Sequence, residues 1–137
     1  RVSRLKKKMK PEFQKLSPEK LGELRKQKVV IDDHIEEGLF AFTGDTTSEF
    51  LDHFKKPVKV LFLETTFIDE IRDIQAARHW GHIHLDEWKD RIGEIPAEKI
   101  VIKHLSARYN TTRVRQVLEE KIPKEFHDKI ILFPRPF

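Results

Sequence analysis

Two stretches of the chain, Val58–Thr65 (VKVLFLET) and Glu98–Ser106 (EKIVIKHLS), hold apolar residues on consecutive positions instead of on alternate ones. A strand with one wet face alternates, whereas a continuous apolar run reads as a strand buried on both faces. That pattern belongs to sheets that are covered by helices. The segments between the runs supply such helices. LSPEKLGELRKQ predicts a short helix from Pro18 to about Lys26, with Ser17 as cap, Pro18 in the first turn and Glu19 at the positive end. KVVI (Lys28–Ile31) and GLFAFTG (Gly38–Gly44) read as strands joined by the polar stretch DDHIEE, and a helix is expected to start near Thr47 or Ser48 and to close at Pro57. Further helices are expected from about Asp69 to Trp80, where Gly81 stops the run, from about His84 to Ile92, and over about Thr111–Glu120. KIILF (Lys129–Phe133) reads as the last strand. The whole order is an α/β pattern with helices covering a sheet, in one domain or one piece of a larger domain.

The charge pattern adds a second constraint. The net charge is +4, and the segment Arg1–Lys10 alone carries Arg1, Arg4, Lys6, Lys7, Lys8 and Lys10 with no acid. This basic arm, residues 1–10, reads either as a solvated, fraying end or as a segment able to contact phosphates. The chain has no cysteine and seven histidines. Disulfides and thiolate metal sites are thereby excluded, any metal site must use His, Asp or Glu, and the composition fits a reducing, intracellular compartment. No apolar run approaches the ~20 residues that a membrane span needs. The first residue is Arg and not Met, from which a processed product, a fragment or one part of a divided protein is expected.

Sites in α/β sheets gather where strands end and loops begin. Asp45, Glu64 and His104 fall at such ends, and His82 lies in a turn between two expected helices. Asp45, in TGDTT, is either an ordinary turn or cap aspartate or a ligand able to bridge two cations. Glu64 ends an apolar strand, where an unpaired carboxylate is costly, so a structural or functional partner is required. In HWGHIHLDEW, His79 is expected on a helix surface and His84 as a helix cap. His104 is either a hydrogen-bonded core histidine or a zinc ligand.

Four segments, AFTGDTTSEF, VLFLETTF, AARHWGHIHLDE and IVIKHLSARY, together resemble the metallo-β-lactamase-type tRNase Z family, most closely its short plant-type members. GHIH followed by HLSARY is specific to that family, and the lead-in LKKKMKPEFQKLSPEKLGELRKQKVVI and the ending KIILFPRPF extend the resemblance over essentially the whole chain. The resemblance implies the C-terminal half of an αββα sandwich and a zinc-dependent endoribonuclease that removes the 3′ trailer from precursor tRNA. It implies that Asp45 bridges two Zn2+ ions and that His104 ligates one of them. It also implies that His82 is a non-ligand histidine near the scissile phosphate, that Glu64 orients it, and that Thr46 lies at the same site. In such a site the metals activate water and stabilise developing charge, while a carboxylate-held histidine protonates the leaving 3′-oxygen.

The family's HxHxDH signature is absent from this sequence. Asp45 and His104 are two ligands where zinc takes about four. The expected partners are therefore precursor tRNA and an N-terminal half, or a complementing chain, that carries HxHxDH, with a homodimer once complete and no membrane. The alternative is a catalytically inactive half-domain that serves as a structural or RNA-binding component of a larger assembly.

Overall fold

The computed structural model describes residues 1–133 and shows a five-stranded mixed sheet. In chain order the elements are β1 (Val2–Met9), α1 (Pro18–Lys26), β2 (Asp32–Phe42), α2 (Phe50–His53), β3 (Val58–Glu64), α3 (Ile74–His79), β4 (Ala97–Lys103), α4 (Thr111–Lys121) and β5 (Ile130–Leu132). The spatial order is β1-β2-β3-β4-β5. Strands β2 to β5 run parallel, and β1 is antiparallel to β2. The α/β expectation holds. Parallel pairing puts the C-terminal ends of β2, β3 and β4 at one rim, where Phe42 pairs with Phe62 and Glu64 with Lys103.

The core lies on one face of the sheet. Leu61 pairs with Ile100 and Leu63 with Ile102, and all four are buried against Leu51, Phe54, Ile83, Leu85, Trp88, Val114, Val117 and Leu118. In α4, Val114, Val117 and Leu118 recur at helical spacing, so one stripe of the helix meets the sheet. Asn110 caps this helix through its side chain, as Asp73 caps α3 and Ser17 caps α1.

The opposite face departs from the both-face burial that the apolar runs predict. Phe40, Phe42, Val60, Phe62, Val101 and Ile131 lie on it by the pleat and the strand register. Phe42 stacks on Phe62 at 4.2 Å between ring centroids, yet it remains 57% exposed. Val101 on the same face is buried, at 6% exposed.

Several expected elements change for local reasons. KVVI is not a strand. Lys28 adopts φ 59° as α1 exits, and its N–H and that of Val29 return to the carbonyls of Arg25 and Leu24. The polar DDHIEE is instead part of β2. The helix expected from Asp69 shrinks to Ile74–His79, because the Asp69 carboxylate takes the Ile71 N–H and the Asp73 side chain takes the Ala76 N–H. The helix expected over 84–92 is two 3-10 turns, Leu85–Glu87 and Lys89–Arg91, broken at Trp88, whose buried indole N–H donates to Thr65 Oγ1 at 3.1 Å. The helix expected near Thr47 is regular only over Phe50–His53. Within the ending KIILFPRPF, residues 134–137 lie outside the described residues.

The basic arm is strand β1, not a fraying end. Its partner strand carries the acids that pair with it. Arg1 and Ser3 meet Glu36, Arg4 and Lys6 meet Glu37, and Lys10 meets Asp33. Lys56 and Lys59 reach the same two glutamates. The Ser3 hydrogen bond and the Arg1 guanidinium hold Glu36 down to about 2, and Arg4 does the same for Glu37.

Both glutamates are depressed below the ordinary 4.5, so their contribution to β1 pairing is complete above about pH 4.5. It should be lost as pH falls through about 2. Replacing both by glutamine should release β1 at neutral pH, speeding tryptic cleavage at Lys6, Lys7 and Lys8 on the order of fivefold. The β1 amide chemical shifts, followed across the acid titration, check the sign. An arm equally protected in the double variant contradicts the assignment.

Candidate metal and acid-base centre

Glu64 is the last residue of β3 and has no exposed surface. Burial of a carboxylate demands donors, and they come from two loops. The Ile83 N–H donates to Oε2 at 2.8 Å, and the Thr66 hydroxyl donates to Oε1. The Glu64 backbone N–H is itself tied to Thr43 Oγ1 at 2.8 Å, which locks the end of β3 to the end of β2. That anchor places the turn carrying Asp45 beside the carboxylate.

His82 follows Gly81, whose φ of +74° lets the chain reverse after α3. Its Nδ1 lies 3.2 Å from Glu64 Oε1. The two are out of line for a hydrogen bond, so Nδ1 is a buried nitrogen without an aligned partner among the described residues. The distance holds the pair within coulombic reach.

His104 directly follows β4 and adopts φ 60°, a left-handed conformation that costs an L-residue of order 1 kcal/mol or more. The turn aims its Nδ1 to within 3.5 Å of Asp45 Oδ1, 3.7 Å of Glu64 Oε1 and 3.2 Å of Thr66 Oγ1. The His82 and His104 ring centroids are 5.3 Å apart. One ligand atom each from Asp45, His82 and His104 falls within a 4.8 Å group. Tetrahedral zinc with bonds near 2.0 Å needs its ligands roughly 3.3 Å apart, and the 3.5 Å between Asp45 Oδ1 and His104 Nδ1 suits two such ligands. Asp45 and His104 are exposed and Glu64 is buried, which leaves an open rim above a fixed carboxylate.

Four of the five residues singled out from the sequence therefore converge, from four separate segments. Thr46 is different. It sits next to Asp45 and is half-buried, but its hydroxyl turns to the Thr47 carbonyl at 3.4 Å. His84 is a cap, as expected. Its Nδ1 accepts from the Asp86 N–H, its backbone N–H donates to Glu87, and its Nε2 contacts the Asp69 carbonyl. His79 is exposed on α3. Two threonines escaped the sequence reading. Thr66 joins Glu64 to His104, and Thr43 joins β2 to β3. Their only sequence signal is position, two residues beyond Glu64 and two before Asp45.

No family model matches the chain. Among curated proteins it is similar to tRNase Z TRZ1 of Arabidopsis thaliana, with 35% identity over 122 residues, 85% of this chain and 43% of that protein. It is also similar to the chloroplastic tRNase Z TRZ2 of the same plant, with 30% identity over 118 residues, 83% of this chain and 33% of that protein. The chain is thus homologous to tRNase Z proteins over most of its own length while spanning less than half of theirs.

If Glu64 is the anchor of this centre, Glu64→Ala strands the Ile83 N–H and the Thr66 hydroxyl in a buried setting. The variant should lose about 2–3 kcal/mol in denaturant-induced unfolding. Thr66→Val, which removes one donor and leaves Glu64 in place, should lose about 1 kcal/mol and shift the His104 ring resonances. A Glu64→Ala variant of unchanged stability would refute the anchoring role.

Proposed function

We propose that this chain is the C-terminal portion of a tRNase Z-type endoribonuclease. It cleaves the 3′ trailer from precursor tRNA when joined to an N-terminal portion that bears HxHxDH. The observation that carries the reading is the convergence of Asp45, Glu64, His82 and His104 at one strand-end rim, with the buried Glu64 beside His82. Retention of all four argues for the enzymatic reading over an inert scaffold, because a scaffold has no chemical need of a half-open cluster of unlike titratable groups.

Asp45 and His104 are the residues that would hold zinc, and the N-terminal portion completes the ligand set. When bound, two zinc ions supply water activation and stabilise negative charge at the phosphate. Glu64 Oε1, 3.2 Å from Nδ1, orients the His82 ring and leaves the other ring nitrogen for the substrate. As the bond from phosphorus to the ribose 3′-oxygen breaks, His82 delivers the proton that the departing oxygen takes up. The proton that His82 gives up is replaced from solvent before the next turnover. The open face with Phe40, Phe42 and Phe62 is the surface against which the N-terminal portion packs. Burying exposed apolar surface of this size suits a second sheet.

The isolated chain should bind zinc weakly and leave precursor tRNA intact, because Asp45 and His104 leave most coordination positions to water. Adding a portion with HxHxDH should restore cleavage and stoichiometric zinc. Dialysis-stable zinc with cleavage by the chain alone would overturn the incomplete-site reading.

Zinc analysis beside single-turnover cleavage separates the roles in the completed enzyme. Asp45→Ala should lose metal and activity together, and His104→Ala should lower zinc content as well as rate. His82→Ala should slow cleavage by ~10²–10⁴-fold with zinc unchanged, and Glu64→Gln should resemble it more mildly. Combining the last two should cost little beyond His82→Ala alone. Loss of zinc in His82→Ala would instead make His82 the third ligand of the cluster.

A further inference from the structure

The chain has two tryptophans in opposite environments. Trp88 is fully buried, whereas Trp80 is 51% exposed at the C-terminal end of α3, two residues before His82. Its indole leans on Phe67 at 5.9 Å between centroids and 58° between planes. Phe67 is buried and meets His82 edge-on at 6.1 Å, so one ring separates Trp80 from the candidate acid. The exposed indole is thus backed by a buried ring beside the candidate acid, and it lies outside the core cluster.

Two guanidinium groups flank these rings. Arg72 lies over Trp80 at 5.0 Å, and Arg108 lies over Phe67 at 5.4 Å. Neither has an ion pair with an acid among the described residues, although Arg108 also contacts Ser106 Oγ at 3.3 Å. The nearby acids are engaged elsewhere. Asp69 takes the Ile71 N–H and faces the Tyr109 hydroxyl, Glu70 lies 3.8 Å from Lys121, and Asp73 caps α3. Arg78, on the same helix, is tied to Glu87 at 2.7 Å and belongs to the scaffold. Aromatic faces interleaved with uncommitted cations are how proteins hold unpaired nucleotides, since every base offers a π-face and every linkage a phosphate.

We infer that Trp80 is a stacking platform for an unpaired nucleotide flanking the cleaved bond of the RNA, with Arg72 swinging from the indole to the adjoining phosphate. This inference rests on the endonuclease reading for its substrate, but not for its binding chemistry. Stacking is indifferent to base identity, so the subsite grips a flanking nucleotide whatever its sequence.

Fluorescence of the completed protein tests the binding directly. Titration with a short oligoadenylate should quench the exposed Trp80 and spare Trp88, and Trp80→Phe should abolish the quench. Cleavage of precursor tRNA by Trp80→Ala should show KM raised by about 5- to 100-fold, with the loss in KM exceeding that in kcat. Trp80→Phe should recover most of it. An abasic nucleotide at one position beside the cut should slow the wild type by a similar factor and leave Trp80→Ala almost unaffected. Arg72→Gln should make the salt dependence of oligoadenylate binding shallower by about 0.7 in log–log slope. An unquenched wild type, a quench that survives Trp80→Phe, or full additivity of Trp80→Ala with every abasic position would overturn the inference. A completed protein that quenches with oligoadenylate yet cleaves no precursor tRNA would overturn the endonuclease reading and leave the stacking platform standing.

Discussion

The Glu64 carboxylate is withdrawn from water where β3 ends, and the surrounding loops are arranged to make that tolerable. A buried carboxylate without donors would cost several kcal/mol, so its two oxygens must be met by groups that only folding can deliver. The Ile83 N–H comes from the turn after α3, and the Thr66 hydroxyl comes from the loop after β3 itself. Satisfying the charge therefore stitches the ends of the chain's central elements together. The same stitching brings His82 to 3.2 Å and His104 to 3.7 Å from one oxygen. Stability and site geometry rest here on one group.

The sheet has two unlike faces. One is closed by α2, α4 and the 3-10 turns around Trp88, with Leu61, Leu63, Ile100 and Ile102 at its centre. The other presents aromatic and aliphatic side chains to solvent around the stacked pair Phe42 and Phe62. At its edge, β1 turns a basic run into a strand by lining it with Glu36 and Glu37. Much of the positive charge that the composition suggests for nucleic acid is therefore used within the fold. Arg72 and Arg108, which have no ion pair with an acid among the described residues, rest on aromatic rings instead.

The rim of the sheet works because parallel strands end together. Phe42 and Phe62 are register partners, and so are Glu64 and Lys103, so the residues that follow them, Asp45 and His104, emerge as neighbours despite their distance in sequence. The left-handed turn at His104 is the only strained step among these, and it points the imidazole back at Asp45 and Thr66.

Continuous apolar runs at Val58–Thr65 and Glu98–Ser106 marked these as central strands from the sequence alone, although they also predicted burial on both faces, which holds on one. The helix cap at Ser17 was equally legible, since a cap acts within three residues of itself. Asp45, Glu64, His82 and His104 could be singled out by their places at strand ends and turns and by their motif order. Tertiary structure alone decided what could not be local. Counting charges along the chain reads a basic run as a loose arm, but Glu36 and Glu37, more than thirty residues away in sequence, make it a strand. The helix expected from Asp69 was shortened by the local bonds of Asp69 and Asp73, whereas the helix expected over 84–92 gave way where the Trp88 indole found Thr65 Oγ1, a partner distant in sequence. Thr66 was invisible for the same reason. A hydroxyl has no recognisable role until folding brings a buried carboxylate and an imidazole to either side of it.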